Sequence, residues 1–274
     1  MSPESQPPRV NTRRVARVLC ALAGGIHADA QDKAAAAAIE AACPGTGDSV
    51  RSARALHAYA ATWAVLEQGV KGIVVAAAGF PCNPDPFAQV LAPPLCAAPD
   101  IRVVLADPDD EATLINRAVL GRDPRVTAVR ARALDAKGLL HSPAVEALPR
   151  PLLVLLPLVP GLWTGQEAAG ALAGYRRHMP SGSLLCMTLW VPDGGPAGRE
   201  CIANWRRLVG PVYGHRAQEV TAWLRDAGFR GVGPEVRVPR VLDARVLTDE
   251  ERWMERAYRQ TRPGRMVKAV ARVP

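Results

Sequence analysis

Three carboxylates, Asp107, Asp109 and Asp110, follow directly on the apolar run IRVVLA. An acid at the end of a buried strand can accept both hydroxyl hydrogens of a ribose, and Asp107 is the residue placed for that role. Asp109 or Asp110 suits the N-cap of a following helix, and a plainer reading makes all three caps and turn residues. Upstream, the run GIVVAAA breaks at Gly79-Phe80-Pro81-Cys82. Gly79 would let a ligand approach the backbone and Pro81 would fix the turn; an ordinary strand-to-helix turn has the same appearance. Further along, Ala131-Arg132-Ala133-Leu134-Asp135 stands where an adenine would be met, although Asp135 fits a surface turn equally well. In PLVPGLW nothing titrates, and Trp163 either stacks on a flat ligand or seals the core.

The five histidines, His27, His57, His141, His178 and His215, are spread along the chain. There is no Ser-His-Asp order and no G-x-S-x-G elbow, so hydrolase chemistry has little support. His27, just after Gly24-Gly25, and Tyr213, His215 and Arg216, just before a late helix, are the residues best placed as a general base or substrate contact. Each taken alone reads more simply as an exposed loop residue. The six cysteines fall at irregular intervals with no CxxC pair and no zinc-ligand spacing, so no metal and reduced thiols are expected.

These residues need a frame. An N-terminal helical region comes first: VARVLCALA, stopped by Gly24-Gly25; DAQDKAAAAAIEAA, stopped by Cys43-Pro44-Gly45; and Ser49 to Gln68, with Val50, Ala53, Leu56, Ala60, Trp63 and Leu66 near one face. From about residue 70 strands and helices alternate. Strands are expected at 71–77, 101–106, 125–131, 151–159 and 183–191, then in FRGVGPEVRVPRV and GRMVKAVARV. Helices are expected at 85–91, 110–120, 143–148, 165–178 and 216–227, and in LTDEERWMERAYRQ. Such alternation argues for an α/β fold with a mostly parallel, seven-stranded Rossmann-like sheet covered on both faces. The division is a disordered tail at 1–11, a helical cap at 12–68 and the sheet domain at 69–274, cap and sheet forming one structural unit.

The totals bound the function. Hydrophobic content of 49% is that of an ordinary globular chain. The net charge is +8, but its 34 basic residues are scattered, so nucleic acid is not the expected partner. MSPESQPPRVNTRR lacks the apolar core of a signal peptide and no run reaches membrane-spanning length, which points to a cytoplasmic protein.

Several stretches together resemble one family. ARVLCALAGGIHADAQDK is similar to ARVYDYLLGGKDNFAADR, the N-terminal signature of the actinobacterial S-adenosylmethionine-dependent methyltransferases once catalogued as DUF574. GIVVAAAGFPCNP is similar to their QFLDIGTGLPTAP, and VVLADPDD to VVYVDNDP. The likeness runs on through TAVRARALDAKGLL, PLLVLLPLVPGLW and MPSGSLLCMTLWVPDG to YGHRAQEVTAWLRDAGFRGVGPEV, with register kept over nearly the whole chain.

The resemblance implies a class I methyltransferase fold whose cofactor, S-adenosylmethionine, lies over the ends of the first two strands. It implies Ala77, Gly79, Phe80, Pro81, Asp107, Pro108, Ala133 and Leu134 as the cofactor's surroundings, and Gly25, Trp163 and Arg216 as substrate contacts. A small molecule of specialised metabolism is the implied acceptor, and a homodimer or a pathway-enzyme partner is left open. The departures share a chemistry. Val75 replaces the acid of the first loop, Ala77 its first glycine, Ala133 the acid after the third strand and Gly161 the histidine after the fourth. Polar cofactor contacts have become apolar, so the alternative is a degenerate member that no longer transfers methyl groups. It would be a remodelled enzyme or a binding or scaffold subunit.

Overall fold

The computed structural model describes residues 12–81, 98–192, 194–233 and 264–274. The expected tail at 1–11, the helices at 85–91 and in LTDEERWMERAYRQ, and the continuation GPEVRVPRV lie outside the described residues. Three helices open the chain: α1 (Thr12–Leu22), α2 (Ala30–Ala42) and α3 (Thr46–Gln68). A reciprocal capping box starts α2: Asp29 accepts the N–H of Asp32, and Asp32 accepts the N–H of Asp29. Gly69, with φ 66°, ends α3 in the left-handed region that glycine enters without strain.

The buried face of α3 is rotated from the expected one. Val50, Ala53, His57, Ala61 and Ala64 face inward, Leu56, Ala60 and Trp63 are half-buried, and Leu66 is 58% exposed. The side that packs against the sheet is a stripe of small residues, which lets the helix lie close. The larger side chains that look like a core stripe in the sequence sit at its edge.

The strands are β1 (Gly72–Ala76), β2 (Arg102–Asp107), β3 (Val126–Arg130), β4 (Leu152–Pro157), β5 (Leu184–Pro192), β6 (Arg230–Gly233) and β7 (Gly264–Arg272). They form one seven-stranded sheet in the order β3-β2-β1-β4-β5-β7-β6. The first five run parallel, and β7 runs antiparallel to both β5 and β6, so the sheet is mixed. Its central strands are buried on both faces, which is why they read as unbroken apolar runs.

The connecting helices are α4 (Asp110–Val119), α5 (Ala136–Leu140), α6 (Pro143–Glu146), α7 (Gly165–His178), α8 (Pro196–Leu208) and α9 (Ala217–Asp226). Side chains alternate across the central strands. Val74, Ala76, Val154 and Leu156 pack with Leu172 and Tyr175 of α7 and Leu224 of α9. Ile73, Val75, Leu153 and Leu155 pack with Ala61, Ala64 and Val65 of α3. Neither α5 nor α8 is foreseen in the sequence. In α8 Gly198 and Cys201 are buried, and Trp205 and Leu208 pack half-buried against the core of the cap, so Cys201, Trp205 and Leu208 form a short apolar stripe.

The expectation of reduced thiols needs a correction. Cys43, at the C-cap of α2, and Cys201, in α8, form a disulfide with Cα atoms 5.7 Å apart. They are separated by 158 positions, so no local spacing announces them. Among the described residues, no helix is long and apolar enough to cross a membrane.

Candidate functional site

The strand order reverses between β1 and β4, and in an open α/β sheet such a point leaves a crevice beyond the carboxyl ends of the strands. A cavity of about 510 Å³ lies there, within the range of small-molecule sites. Its floor includes Val75 and Leu155, which are paired across β1 and β4. The helical cap closes one side through Val15 and Leu19 of α1 and Val50, Ala53, Arg54 and His57 of α3.

The turn after β1 is held from both ends of one residue. The Gly79 N–H donates to Asp107 Oδ2 at 2.8 Å, and the Gly79 carbonyl accepts from Asn116 Nδ2 of α4 at 2.8 Å. Gly79 has φ 66°, and a Cβ added there would meet nothing within 4 Å, so the backbone is open to an approaching group. Ala77 adopts φ 62° without being glycine. A left-handed alanine costs about 1–2 kcal/mol, so the turn keeps the shape a glycine would give it at an energetic cost. Leu158, just after β4, has φ 60°, and it too lines the cavity. Backbone strain of this kind collects at functional sites.

Asp107 is buried, and its Oδ1 accepts the Asp109 N–H at 2.9 Å. Burial pushes its pKa up to about 6, against the opposing pull of the N–H bonds from Asp109 and Gly79. Each oxygen accepts one backbone N–H and has a second lone pair to offer. Asp109 is the helix cap: its Oδ1 accepts from the N–H groups of Glu111 and Ala112.

Ala133 and Leu134 line the cavity on the β3 side. Their loop is fixed by Tyr175, whose hydroxyl donates to the Ala133 carbonyl at 2.7 Å. Burial raises the Tyr175 phenol well above its ordinary pKa, so it stays a donor. On the β4 side, Thr164 and Glu167 line the cavity and cap α7 reciprocally.

His57 is the buried titratable group on the cap side. Its Nε2 lies 2.9 Å from Thr188 Oγ1 on β5, and burial pushes its pKa down to about 3, so the ring is neutral. Its Nδ1 has no hydrogen-bond partner among the described residues.

The cavity thus brings together Ala77, Gly79, Asp107, Pro108, Ala133, Leu134, Trp163 and Tyr213 of the residues expected at a site. Six others stand elsewhere. The His215 Nε2–H points at the carbonyls of Pro160 and Trp163, 3.1 and 2.9 Å away, so His215 holds the cavity's rim rather than facing a ligand. Arg216 is an exposed N-cap residue of α9. His27 stacks on Phe80, with centroids 5.9 Å apart, and Phe80 is wholly buried beneath Arg17 of α1. Pro81 is buried beside it in sequence, and Gly25 is buried with its N–H on the Cys20 carbonyl.

Four residues that matter, His57, Thr164, Glu167 and Asn116, were not foreseen. His57 could have been found from its spacing between Ala53 and Ala61 on a small-residue stripe. Thr164-Gly-Gln-Glu167 carries a capping-box pattern. Asn116 gives no sequence signal, because its partner is a backbone carbonyl 37 positions away. Among the described residues, no group of three or more His, Cys, Asp or Glu side chains could hold a metal ion.

Residues 3–240 match the family model described as S-adenosyl methyltransferase. Two crystal structures share the fold over nearly the full length of both chains. One, a candidate methyltransferase from Thermobifida fusca, is 23% identical, with 94% of each chain covered and a TM-score of 0.76. The other, a DUF574 family protein from Streptomyces avermitilis, is 20% identical, with 95% of this chain and 97% of that chain covered and a TM-score of 0.72. No curated protein matches.

Proposed function

The chain belongs to the S-adenosyl methyltransferase family, and on that premise we propose that it transfers the methyl group of S-adenosylmethionine to a small-molecule acceptor of specialised metabolism. The observation that carries this reading is the cavity at the β1–β4 switch point, with Asp107 on its wall at the end of β2. The residues present fit the adenosine half of the cofactor. Asp107 would take the ribose hydroxyls on its remaining lone pairs, Gly79 would let the backbone come close, and Ala133 and Leu134 would form the apolar wall for the base.

When bound, S-adenosylmethionine supplies an electrophilic methyl carbon on a sulfonium sulfur. Displacement at such a carbon depends mainly on alignment and on exclusion of water, which α1, α3 and the segment from Leu158 to Trp163 provide by enclosing the cavity. Of His27, Tyr213 and His215, the residues expected as a base, Tyr213 lines the cavity, and it is the candidate base where the acceptor must lose a proton.

The apolar floor favours a second reading. Val75 is buried where the family has an acid, so the cofactor's ammonium finds no carboxylate there. On this reading the protein keeps the fold and binds a ligand without transferring methyl groups. Mass spectrometry of small molecules released from natively purified protein separates the two. S-adenosylmethionine or S-adenosylhomocysteine near one per chain supports the methyltransferase. A different ligand, or none after incubation with excess cofactor, contradicts it.

A further inference from the structure

His141 and His178 stand apart from the cavity, and their rings meet edge to face, with His141 Nε2 and His178 Nδ1 3.2 Å apart. His141 is the exposed C-cap residue of α5, and His178, half-buried, is the last residue of α7. The other nitrogen of His141, Nδ1, lies 3.2 Å from Glu146 Oε1. An ionised carboxylate can only accept, so Nδ1 carries the proton and Nε2 keeps a lone pair on the side of His178. Desolvation lowers the His178 pKa, and the neighbouring His141, Arg177 and Lys137 push the same way, so this ring is uncharged at neutral pH. With its proton on Nε2, His178 presents a second lone pair from Nδ1.

The spacing of the two nitrogens suits more than a hydrogen bond. Imidazole nitrogens bind zinc at about 2.0–2.1 Å, so two of them on adjacent positions of one ion stand about 3–3.4 Å apart. His141 Nε2 and His178 Nδ1 are already at that separation. Glu146 behind His141 completes a carboxylate–histidine–metal arrangement, which fixes the ring and raises its basicity as a ligand. The pair also sits at the carbonyl end of α7, a helix of 14 residues, and that end favours a cation. Arg177 and Lys137 act against it, since both disfavour positive charge at His178.

We propose that His141 and His178 form a two-histidine site for a divalent transition cation of the zinc, nickel or copper class, with Glu146 orienting His141. Imidazole suits these ions, and water fills their other positions. Two protein ligands, short of the three or four of a catalytic or structural zinc centre, make it a reversible clip. The clip joins α5 to α7, which flank the Ala133 loop that Tyr175 of α7 holds by its carbonyl. It would brace that wall from outside, whatever the cavity binds.

The test is calorimetric titration of untagged protein with zinc chloride in a buffer that does not bind the metal. One ion per chain is expected at micromolar zinc, with a raised thermal midpoint, because the ion favours the folded chain. His141→Phe and His178→Phe should each weaken binding by about tenfold or more and abolish the thermal shift. Electron paramagnetic resonance of the copper-loaded wild type should show two imidazole nitrogens, a readout that needs no variant. Glu146→Gln, whose amide donates as well as accepts, should loosen the Nδ1–H tautomer of His141 in ring ¹⁵N shifts and weaken zinc binding by about tenfold. No saturable binding at millimolar zinc, unchanged binding in both histidine variants, or a copper signal without two imidazoles would each overturn the site. A tautomer and an affinity both unchanged in Glu146→Gln would overturn the orienting role of Glu146.

Discussion

Asp107 Oδ2 accepts the N–H of Gly79 at 2.8 Å, so the acid that ends β2 also closes the turn that ends β1. A ribose bound there would share a carboxylate that already fastens the loop. Binding and loop geometry are therefore coupled through one side chain.

The coupling gives a pH dependence. Hydroxyl donors favour the ionised carboxylate, and the Asp107 pKa in the unliganded chain is about 6. Affinity for S-adenosylhomocysteine should rise as pH rises through about 6 and then level off. In Asp107→Asn that rise should disappear, with affinity lower by about tenfold or more at neutral pH. Isothermal titration calorimetry across this range checks both statements, and a flat wild-type profile would count against ribose recognition by Asp107.

Stability should respond to pH in two opposing ways. Asp107 has a folded pKa raised from 3.8 to about 6, so the folded state gains protons first on acidification. Its contribution is therefore greatest below the unfolded value and is lost as pH rises through about 6. His57 has a folded pKa lowered from 6.5 to about 3, so the unfolded state gains protons first, and stability falls as pH drops from about 6.5 towards 3. Between about pH 4 and 6 the two slopes cancel. Relative to wild type, Asp107→Asn should become steadily less stable on acidification in that window, and His57→Phe steadily more stable. Urea melts at several pH values read this out; parallel profiles for all three proteins would contradict it.

Tyr175 should matter to the β3-side loop. Tyr175→Phe removes the donor to the Ala133 carbonyl and leaves that oxygen unpaired beside a buried ring. The expected loss is about 1–3 kcal/mol of stability, seen as a lowered urea midpoint. Binding of adenine-containing ligands should weaken, because the wall they pack on is no longer fixed. Unchanged stability would mean that the loop holds its shape without the hydroxyl.

The Cys43–Cys201 bond joins the end of α2 to α8 across a long stretch of chain. Reduction, or Cys43→Ser with Cys201→Ser, should cost about 2–4 kcal/mol. Alkylation with mass analysis should find both sulfurs protected in native protein until a reductant is added. Immediate labelling of both would contradict the bond.

Much of the frame was legible in the sequence, because buried parallel strands are continuous apolar runs and β1, β2, β4 and β5 are written largely that way, whereas the edge strand β3 alternates buried and exposed residues. Asp107, Gly79 and the Ala133-Leu134 pair were legible for the same reason, since they follow strand ends. The side-chain roles were less so. His215 and His27 look catalytic beside glycines, yet the first is spent on two carbonyls and the second on Phe80. His57 is hidden in an alanine-rich helix, because its significance comes from Thr188, 131 positions away. The mispicked face of α3 has one cause: close helix-to-sheet packing selects alanine, and alanine carries little hydrophobic signal.

The central claim is that the cavity beyond β1 and β4 holds S-adenosylmethionine despite Val75 and Ala133. Calorimetric titration of the purified chain with S-adenosylhomocysteine tests it most directly. Saturable binding of one ligand per chain, weakened in Asp107→Asn, is the predicted result. No heat and no thermal shift at millimolar ligand would contradict it.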